Sequence, residues 1–534
     1  MIFVLLAYSA VSYGAATEWR NATIYFVFID RFYDGDKENN SSYGREYDKE
    51  QNIGTFHGGD LKGLTKRLRQ GYFTDLGITA IWITSPLEQI HGWVPGANNE
   101  FKHYAYHGYF PLDYTRIDKN FGTEADFAEF VKTAHGQGIK VILDVVINHA
   151  GYADVKTIKD YSVNVLATDQ YPPKHKYYEA FDYDTFSWMD WWGPEWVRAR
   201  LPGYELSNED ETLSSLYFLP DFKTESESAV QIPEFFNYKK DTGVVLKKNW
   251  RVRDYLTDWM VYWVRQHGVD GFRVDAAKHI DRKTLTLLKE KASQAYRQWS
   301  DSQSSPPFPD DEFWMVGESF GHGVEDSDYF DLGFNSMINF SFYDDIRGNR
   351  SIDSIYQEYS NFMRDHEGRN ILSFLSNHDI GLFERDRLKF VAKYFFFLPG
   401  AIQIFYGDET ARPEDDFAIS DRLQNLRSDV NWRGLDLDTL RVWQKLGRFR
   451  FNNNVVGAGL HKTISHSPYI FSRKSERDEQ IYGFDLRSSD DLFVASTYGD
   501  CVFDIVNDRR HKLVEGKYKG EDIEVAVFGF CDED

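Results

Sequence analysis

The sequence predicts a (β/α)8 TIM barrel with a domain inserted after its third strand and a C-terminal antiparallel β-sandwich. Three observations predict it: eight short apolar runs rich in β-branched and aromatic residues, helical periodicity between most of them, and two places where that rhythm breaks. The runs end at Asp30, Thr84, Asn148, Ala277, Glu318, Phe342, Asn377 and Gly407. Their nearly continuous apolar character suits strands buried on both faces. Helical patterns run from Asp126 to Ile139, with a Gly-Gln-Gly stop, then up to the His267-Gly268 stop, and again from Arg282. Strands alternating with helices imply βα units, and eight such units close into a barrel. An open doubly wound sheet is the competing topology. It gathers its chemistry at one switch point, whereas here polar, reactive residues recur at many strand ends.

The first break is the interval of about a hundred residues between the third strand and the helix near Arg251, a length expected of a functional insertion. The second follows Gly447, where alternating runs such as PYIFSR, QIYGFDLR, LFVASTY and VAVFGF take over. The expected organisation is a signal peptide over 1–16, barrel over 17–149, an inserted domain over 150–225, barrel again over 226–447, and the β-sandwich over 448–534.

A net charge of −23 and a pI near 5.1 argue against nucleic acid, whose phosphates call for Lys and Arg. No basic amphipathic stretch suggests a membrane surface. Aromatics make up 17% of the chain, which fits either packing or the stacking of sugar rings. The opening MIFVLLAYSAVSYGAA is an apolar block ending in small residues, so it reads as a secretory signal, too short to span a bilayer. The expected location is outside the cell, or the periplasm in a bacterium. Cys501 and Cys531 then fit one disulfide, with two free thiols as the alternative. Asn21, Asn39, Asn40, Asn339 and Asn349 head N-x-S/T sequons, usable only on a eukaryotic secretory route.

Catalytic groups of such a barrel sit at the C-terminal ends of its strands. On the fourth, Arg273 and Asp275 are two apart and share a face; an arginine beside a carboxylate favours the ionised form that a nucleophile needs. The fifth delivers Glu318 after an apolar run, and apolar surroundings raise a carboxyl pKa toward that of a proton donor. The seventh ends on His378 and Asp379, which alone would equally suit a metal or a structural pair. Each has an ordinary structural explanation; together they supply what glycoside hydrolysis requires, two carboxylates flanking a sugar bond and a third to hold the sugar.

These segments carry a resemblance. GFRVDAAKH from Gly271, GES from Gly317, FLSNHD from Phe374 and DVVINH from Asp144 are similar, in order, to the four signature segments of the α-amylase family, glycoside hydrolase family 13, and the likeness is greatest to secreted calcium-dependent α-amylases. The resemblance implies a retaining double displacement with Asp275 as nucleophile, Glu318 as general acid/base and Asp379 on the sugar hydroxyls. It also implies that Arg273, His107, His149 and His378 contact that sugar or the nucleophile, that Tyr109 of YHGY stacks under it, and that Lys278 and His279 face the leaving group. Phe110 departs from the Trp that many relatives carry there.

By the same resemblance a structural Ca2+ would be held by Asn148, Asp221 and the carbonyl of His279, an oxygen set suited to a hard cation. A second, N-terminal Ca2+ would draw on Asp34, Asp36, Asn39, Asn40, the Gly58 carbonyl and Asp60; a solvated acidic turn is the alternative there. LPDFKTE resembles the form found in α-amylases, which favours cleavage of internal α-1,4 bonds in starch, glycogen or maltooligosaccharides by a monomeric enzyme. Trp188, Trp191, Trp192 and Trp196 would either line outer subsites or pack the insert. The rival readings are a cyclomaltodextrinase, neopullulanase or glucanotransferase, a non-catalytic binding relative, and a metal-dependent hydrolase using His149, His378 and Asp379.

Overall fold

The computed structural model describes residues 19–48, 52–161, 192–199, 205–206, 209–217, 219–309, 311–487, 499–514, 517–518 and 520–531. The eight apolar runs are eight parallel strands: β1 Thr23–Val27, β2 Ala80–Ile83, β3 Lys140–Val145, β4 Gly271–Val274, β5 Trp314–Gly317, β6 Ser336–Asn339, β7 Asn370–Phe374 and β8 Ala401–Phe405. They pair in sequence order and β8 closes on β1. Every residue of the eight strands is buried, as a ring of strands wrapped by helices requires.

The longer helices among the described residues are α1 Leu61–Arg69, α2 Glu124–Gly136, α3 Val252–His267, α4 Arg282–Ser302, α5 Ile352–Asp365, α6 Leu388–Phe396 and α7 Leu437–Asn452. Thr123 and Asp126 form a reciprocal capping box that starts α2. Gly268 ends α3 at φ +74, a conformation that costs glycine little. Between β5 and β6 the described residues hold only a three-residue turn, Phe330–Leu332, so the fifth βα unit is abbreviated. The β2–α2 interval carries two small antiparallel pairs, Leu87–Gln89 with Pro111–Ile117 and Trp93–Pro95 with Lys102–Tyr104, which build out the C-terminal face.

Helix α7 runs through the position where the sequence rhythm breaks. Gly447 lies inside it because that face meets the backbone of Leu76 and Gly77: a Cβ at 447 would stand 2.0 Å from the Leu76 carbonyl oxygen. Gly447→Ala is therefore expected to destabilise the protein by about 1–3 kcal/mol, read as a lower urea midpoint. An unchanged midpoint would show that the two segments separate freely.

Beyond α7, β9 Leu460–His466, β10 Tyr469–Lys474, β11 Glu479–Leu486, β12 Cys501–Asp504, β13 Arg509–Lys512 and β14 Ile523–Gly529 form an antiparallel sheet in the order β9-β10-β11-β14-β12-β13. Its strands alternate: Phe471, Tyr482 and Val525 join the barrel core, while Ile470, Ile481 and Ala526 form a second cluster on the opposite face. The LFVASTY run lies outside the described residues. Cys501 and Cys531 are disulfide-bonded, with Cα atoms 5.2 Å apart. No helix among the described residues is long and apolar enough to cross a membrane. The segment 1–16 lies outside them.

Candidate active site

The site grows out of strand register. Arg273 on β4 lies opposite Asp144 on β3, so both side chains point into the barrel at one level. There Nη1 of Arg273 donates to Asp144 Oδ1 and to Asp275 Oδ1, each at 2.8 Å, and Nη2 reaches Glu318 Oε2 at 2.8 Å. One guanidinium thus faces three carboxylates. Burial pushes Asp275 well above the usual carboxylate range; Arg273 opposes this, and the charges of Glu318, Asp144 and Asp379 add to it. Asp144 is raised too, again chiefly by burial. The sequence pattern pairs Arg273 with Asp275. The arginine is instead shared, and its single charge is divided among three anions.

Glu318 also departs from the sequence picture. Its Oε2 accepts from Arg273 and from the Ala276 N–H at 3.0 Å, so the carboxyl sits in polar company beyond the last apolar residue of β5. That N–H is aimed by a strained backbone: Ala276, next to Asp275, is left-handed at φ +48.

Asp379 accepts from His378 Nε2 at 2.9 Å and from Arg427 at 3.2 Å. Burial raises its pKa, but these two charges outweigh that and hold the carboxyl far below its ordinary value. The phenol of Tyr109 donates to Asp144 at 3.0 Å, and its ring lies parallel to that of His378 at 5.7 Å between centroids. His107 Nδ1 accepts the Tyr109 N–H at 2.9 Å, and His149 Nε2 donates to the Tyr109 carbonyl at 3.1 Å. Burial lowers both imidazoles, His149 to about 4, which keeps them neutral. His107 Nε2 and His378 Nδ1 are buried with no hydrogen-bond partner in the protein, as expected of groups that bind something else.

Three participants carry no role in the sequence reading. Asp144 advertises itself, since a carboxylate inside the apolar run KVILDVV needs a buried partner. Trp82 donates to Asp144 at 3.3 Å and stacks on Phe26 at 3.6 Å, and nothing in the strand AIWI sets it apart. Arg427 is the last residue of a short 3-10 helix, Arg422–Arg427, and has no pattern to announce it. Lys278 lies 3.6 Å from Glu211 of the insert, and His279 Nδ1 donates to the Glu211 carbonyl at 2.7 Å. His57 bonds Asp429 at 3.0 Å, and its backbone N–H donates to Asp30.

The insert meets the barrel where 148–150 runs alongside 220–222: Phe222 N–H donates to the Asn148 carbonyl and Ala150 N–H to the Pro220 carbonyl, both at 2.9 Å. Oδ1 of Asn148 and Oδ1 of Asp221 are buried with no partner. Asp221 Oδ2 accepts from Arg198 at 2.9 Å, and burial still pushes this carboxyl up to about 7. Two orphaned oxygens from the two sides of this junction fit a hard cation. At the N-terminal candidate, Asp34, Asn39 and Asn40 each keep a buried, unpartnered Oδ1. Asp36 is instead paired with Lys62 at 2.5 Å, and Asp60 caps α1 while accepting from the N–H groups of Gly35 and Asp36. Those two carboxylates are already engaged. Trp192 and Trp196 are buried against Phe222 and α3, with Trp196 parallel to Trp259 at 5.8 Å, so they pack the insert and line no subsite. Trp188 and Trp191 lie outside the described residues.

Residues 26–445 match the family described as the alpha amylase catalytic domain. The chain is 42% identical over 487 residues to the periplasmic alpha-amylase of Escherichia coli K12, covering 86% of this chain and 71% of that one. It is 28% identical over 470 residues to a cyclomaltodextrin glucanotransferase of Bacillus sp. strain 6.6.3, of which it spans 57%. Among solved structures, an Anoxybacillus alpha-amylase superposes with a TM-score of 0.64 at 21% identity, covering 96% of this chain and 99% of that one, a likeness of fold. The chain belongs to the α-amylase family of glycosidases, and its barrel is that family's catalytic domain.

Proposed function

We propose that the protein is a retaining endo-hydrolase of α-1,4-glucans, with Asp275 as nucleophile and Glu318 as acid/base. The observation that carries this is the shared guanidinium: Asp275 and Glu318 occupy neighbouring nitrogens of Arg273 at the barrel mouth. Carboxylates so yoked suit the separation of about 5–5.5 Å of a retaining pair rather than the wider inverting gap that admits a water. Asp275 attacks the anomeric carbon as the glycosidic oxygen departs with the proton of Glu318. Glu318 then takes a proton from water, which attacks the same carbon and releases Asp275. Asp379, held ionised by His378 and Arg427, accepts from sugar hydroxyls and favours the positive charge that develops on the ring. The unpartnered nitrogens of His107 and His378 supply further contacts, and Tyr109 offers its ring face.

Ca2+ held by Asn148, Asp221 and the His279 carbonyl would bind the insert to the barrel and shape the cleft. A second ion would use Asp34, Asn39, Asn40 and the Gly58 carbonyl. The disulfide and the apolar start of the chain support secretion.

The test is incubation with starch, maltoheptaose, pullulan and cyclodextrins, with the anomeric form of the first products followed by NMR. Starch should yield α-configured maltooligosaccharides. Initial β-products would end the retaining mechanism, and inactivity of folded, calcium-loaded protein would favour a binding role. The starch arm also addresses the glucanotransferase relatives: cyclic products from starch would place this chain with them.

A further inference from the structure

Five N-x-S/T triplets have no part in the site, and burial sorts them. N-linked glycosylation replaces one hydrogen of an asparagine Nδ2 with a bulky hydrophilic chain, so that amide must face solvent in the folded protein. Asn21 is fully enclosed: its Nδ2 donates to the Arg450 carbonyl at 2.8 Å and to Asn454 at 3.4 Å, and its Oδ1 accepts from the Gly457 N–H at 2.8 Å. Asn339, at the end of β6, is enclosed too and donates to Ser373 at 3.0 Å. Asn40 is buried with its Nδ2 on Asp34 at 3.2 Å, and the neighbouring Asn39 keeps its Oδ1 buried. A sugar on Asn21, Asn40 or Asn339 would break a buried hydrogen bond and the packing around it.

Asn349 is the exception. It lies in the turn between the short helix Ser341–Arg347 and α5. There the Gly348 N–H donates to the Asp344 carbonyl at 2.8 Å and the Arg350 N–H to the Asp345 carbonyl at 3.0 Å, which holds Asn349 left-handed at φ +57. Asn349 and Ser351, the two residues by which a sequon is read, are both exposed, and neither side chain bonds to a described residue. Helix termination accounts for the asparagine alone. It asks for no hydroxyl two residues on, and Ser351 opens α5 without a side-chain cap.

We propose that the secreted protein carries a single N-linked glycan, on Asn349. The donor is an oligosaccharide on a polyprenyl diphosphate. Nδ2 attacks C1 of its first sugar, the C1–O bond breaks, the diphosphate leaves with the electron pair, and the amide nitrogen gives up one proton. The proposal rests on the secretion reading above, by a eukaryotic route, and is independent of the hydrolase reading.

The experiment expresses the full chain in a yeast, once behind its own first residues and once behind a host leader, and maps peptides from the medium before and after peptide N-glycosidase. Most secreted molecules should carry one glycan, and the glycosidase should leave aspartate at position 349 and at none of the other four. Asn349→Gly, which the turn tolerates because glycine is at ease at positive φ, should abolish the modification, as should Ser351→Ala. Ser351→Thr, which keeps the hydroxyl, should retain it. An unchanged melting temperature in these variants shows that the fold survives and that the sequon alone was lost. Folded, secreted protein with Asn349 unmodified, or with a glycan on Asn21, Asn39, Asn40 or Asn339, overturns the proposal. Retention in the cell behind the chain's own start overturns the secretion reading, and the host-leader arm then decides the site.

Discussion

Asp275→Asn should lower turnover of starch by about four orders of magnitude, roughly 5.4 kcal/mol of transition-state stabilisation. The same protein should melt at an equal or higher temperature than the native enzyme. The reason is the crowding around Arg273: burial and three neighbouring carboxylates push Asp275 well up. A carboxyl whose folded pKa exceeds its unfolded value binds more protons when folded. Its contribution to stability therefore falls as pH rises from the unfolded value toward the folded one, and at neutral pH the charge works against folding. Removing that charge relieves the strain while abolishing the nucleophile. Calorimetry and steady-state rates decide it: near-native turnover removes Asp275 from the mechanism, and a lower melting temperature contradicts the electrostatic account.

Glu318→Gln should be equally damaging on starch, with one difference. On α-maltosyl fluoride, whose leaving group needs no proton, bond cleavage should recover most of its rate in Glu318→Gln and none in Asp275→Asn. Equal losses on both substrates in both variants would mean that acid and nucleophile have not been told apart.

Calcium withdrawal is the second large expected effect. Asn148 and Asp221 meet with unpartnered oxygens, so chelation should leave buried acceptors facing each other across the insert–barrel junction. At free calcium a thousandfold above its dissociation constant, the ion would stabilise the fold by about 4 kcal/mol. After chelation, activity should decay at the rate at which the insert loosens, tracking the near-ultraviolet dichroism. Asp221→Ala should be at least as damaging as chelation even with calcium present, because Arg198 then loses its buried carboxylate partner too. Instant, reversible loss of turnover with the fold intact would point to a catalytic metal. No effect of either treatment would remove the ion from the junction.

Strand order was legible in the sequence because buried parallel strands leave uninterrupted apolar runs, and the residues just past each run fall at the barrel mouth. The three carboxylates could therefore be found by position. What joins them was not legible. Asp144 and Arg273 are 129 residues apart and meet only through the register of β3 and β4. Arg427 reaches Asp379 from the end of a single short 3-10 helix whose placement no local periodicity encodes. The polar setting of Glu318 was hidden for a related reason: apolar neighbours along a strand face the layers on either side, while the carboxyl projects beyond them. Gly447 shows the converse failure. A glycine that resembles an ending is required there by a backbone packed against its helix.

The two ends of the insert are cinched together by the pairing of 148–150 with 220–222. Among the described residues the insert also docks on the barrel elsewhere, Trp196 on Trp259 of α3 and Glu211 on His279. Closing a loop costs free energy that grows only with the logarithm of its length once its ends are fixed, so changes of length within the excursion cost the ring beneath it little. Insertions and deletions between the two ends are thus the changes by which the insert would alter which polymers gain entry while the chemistry below stays the same.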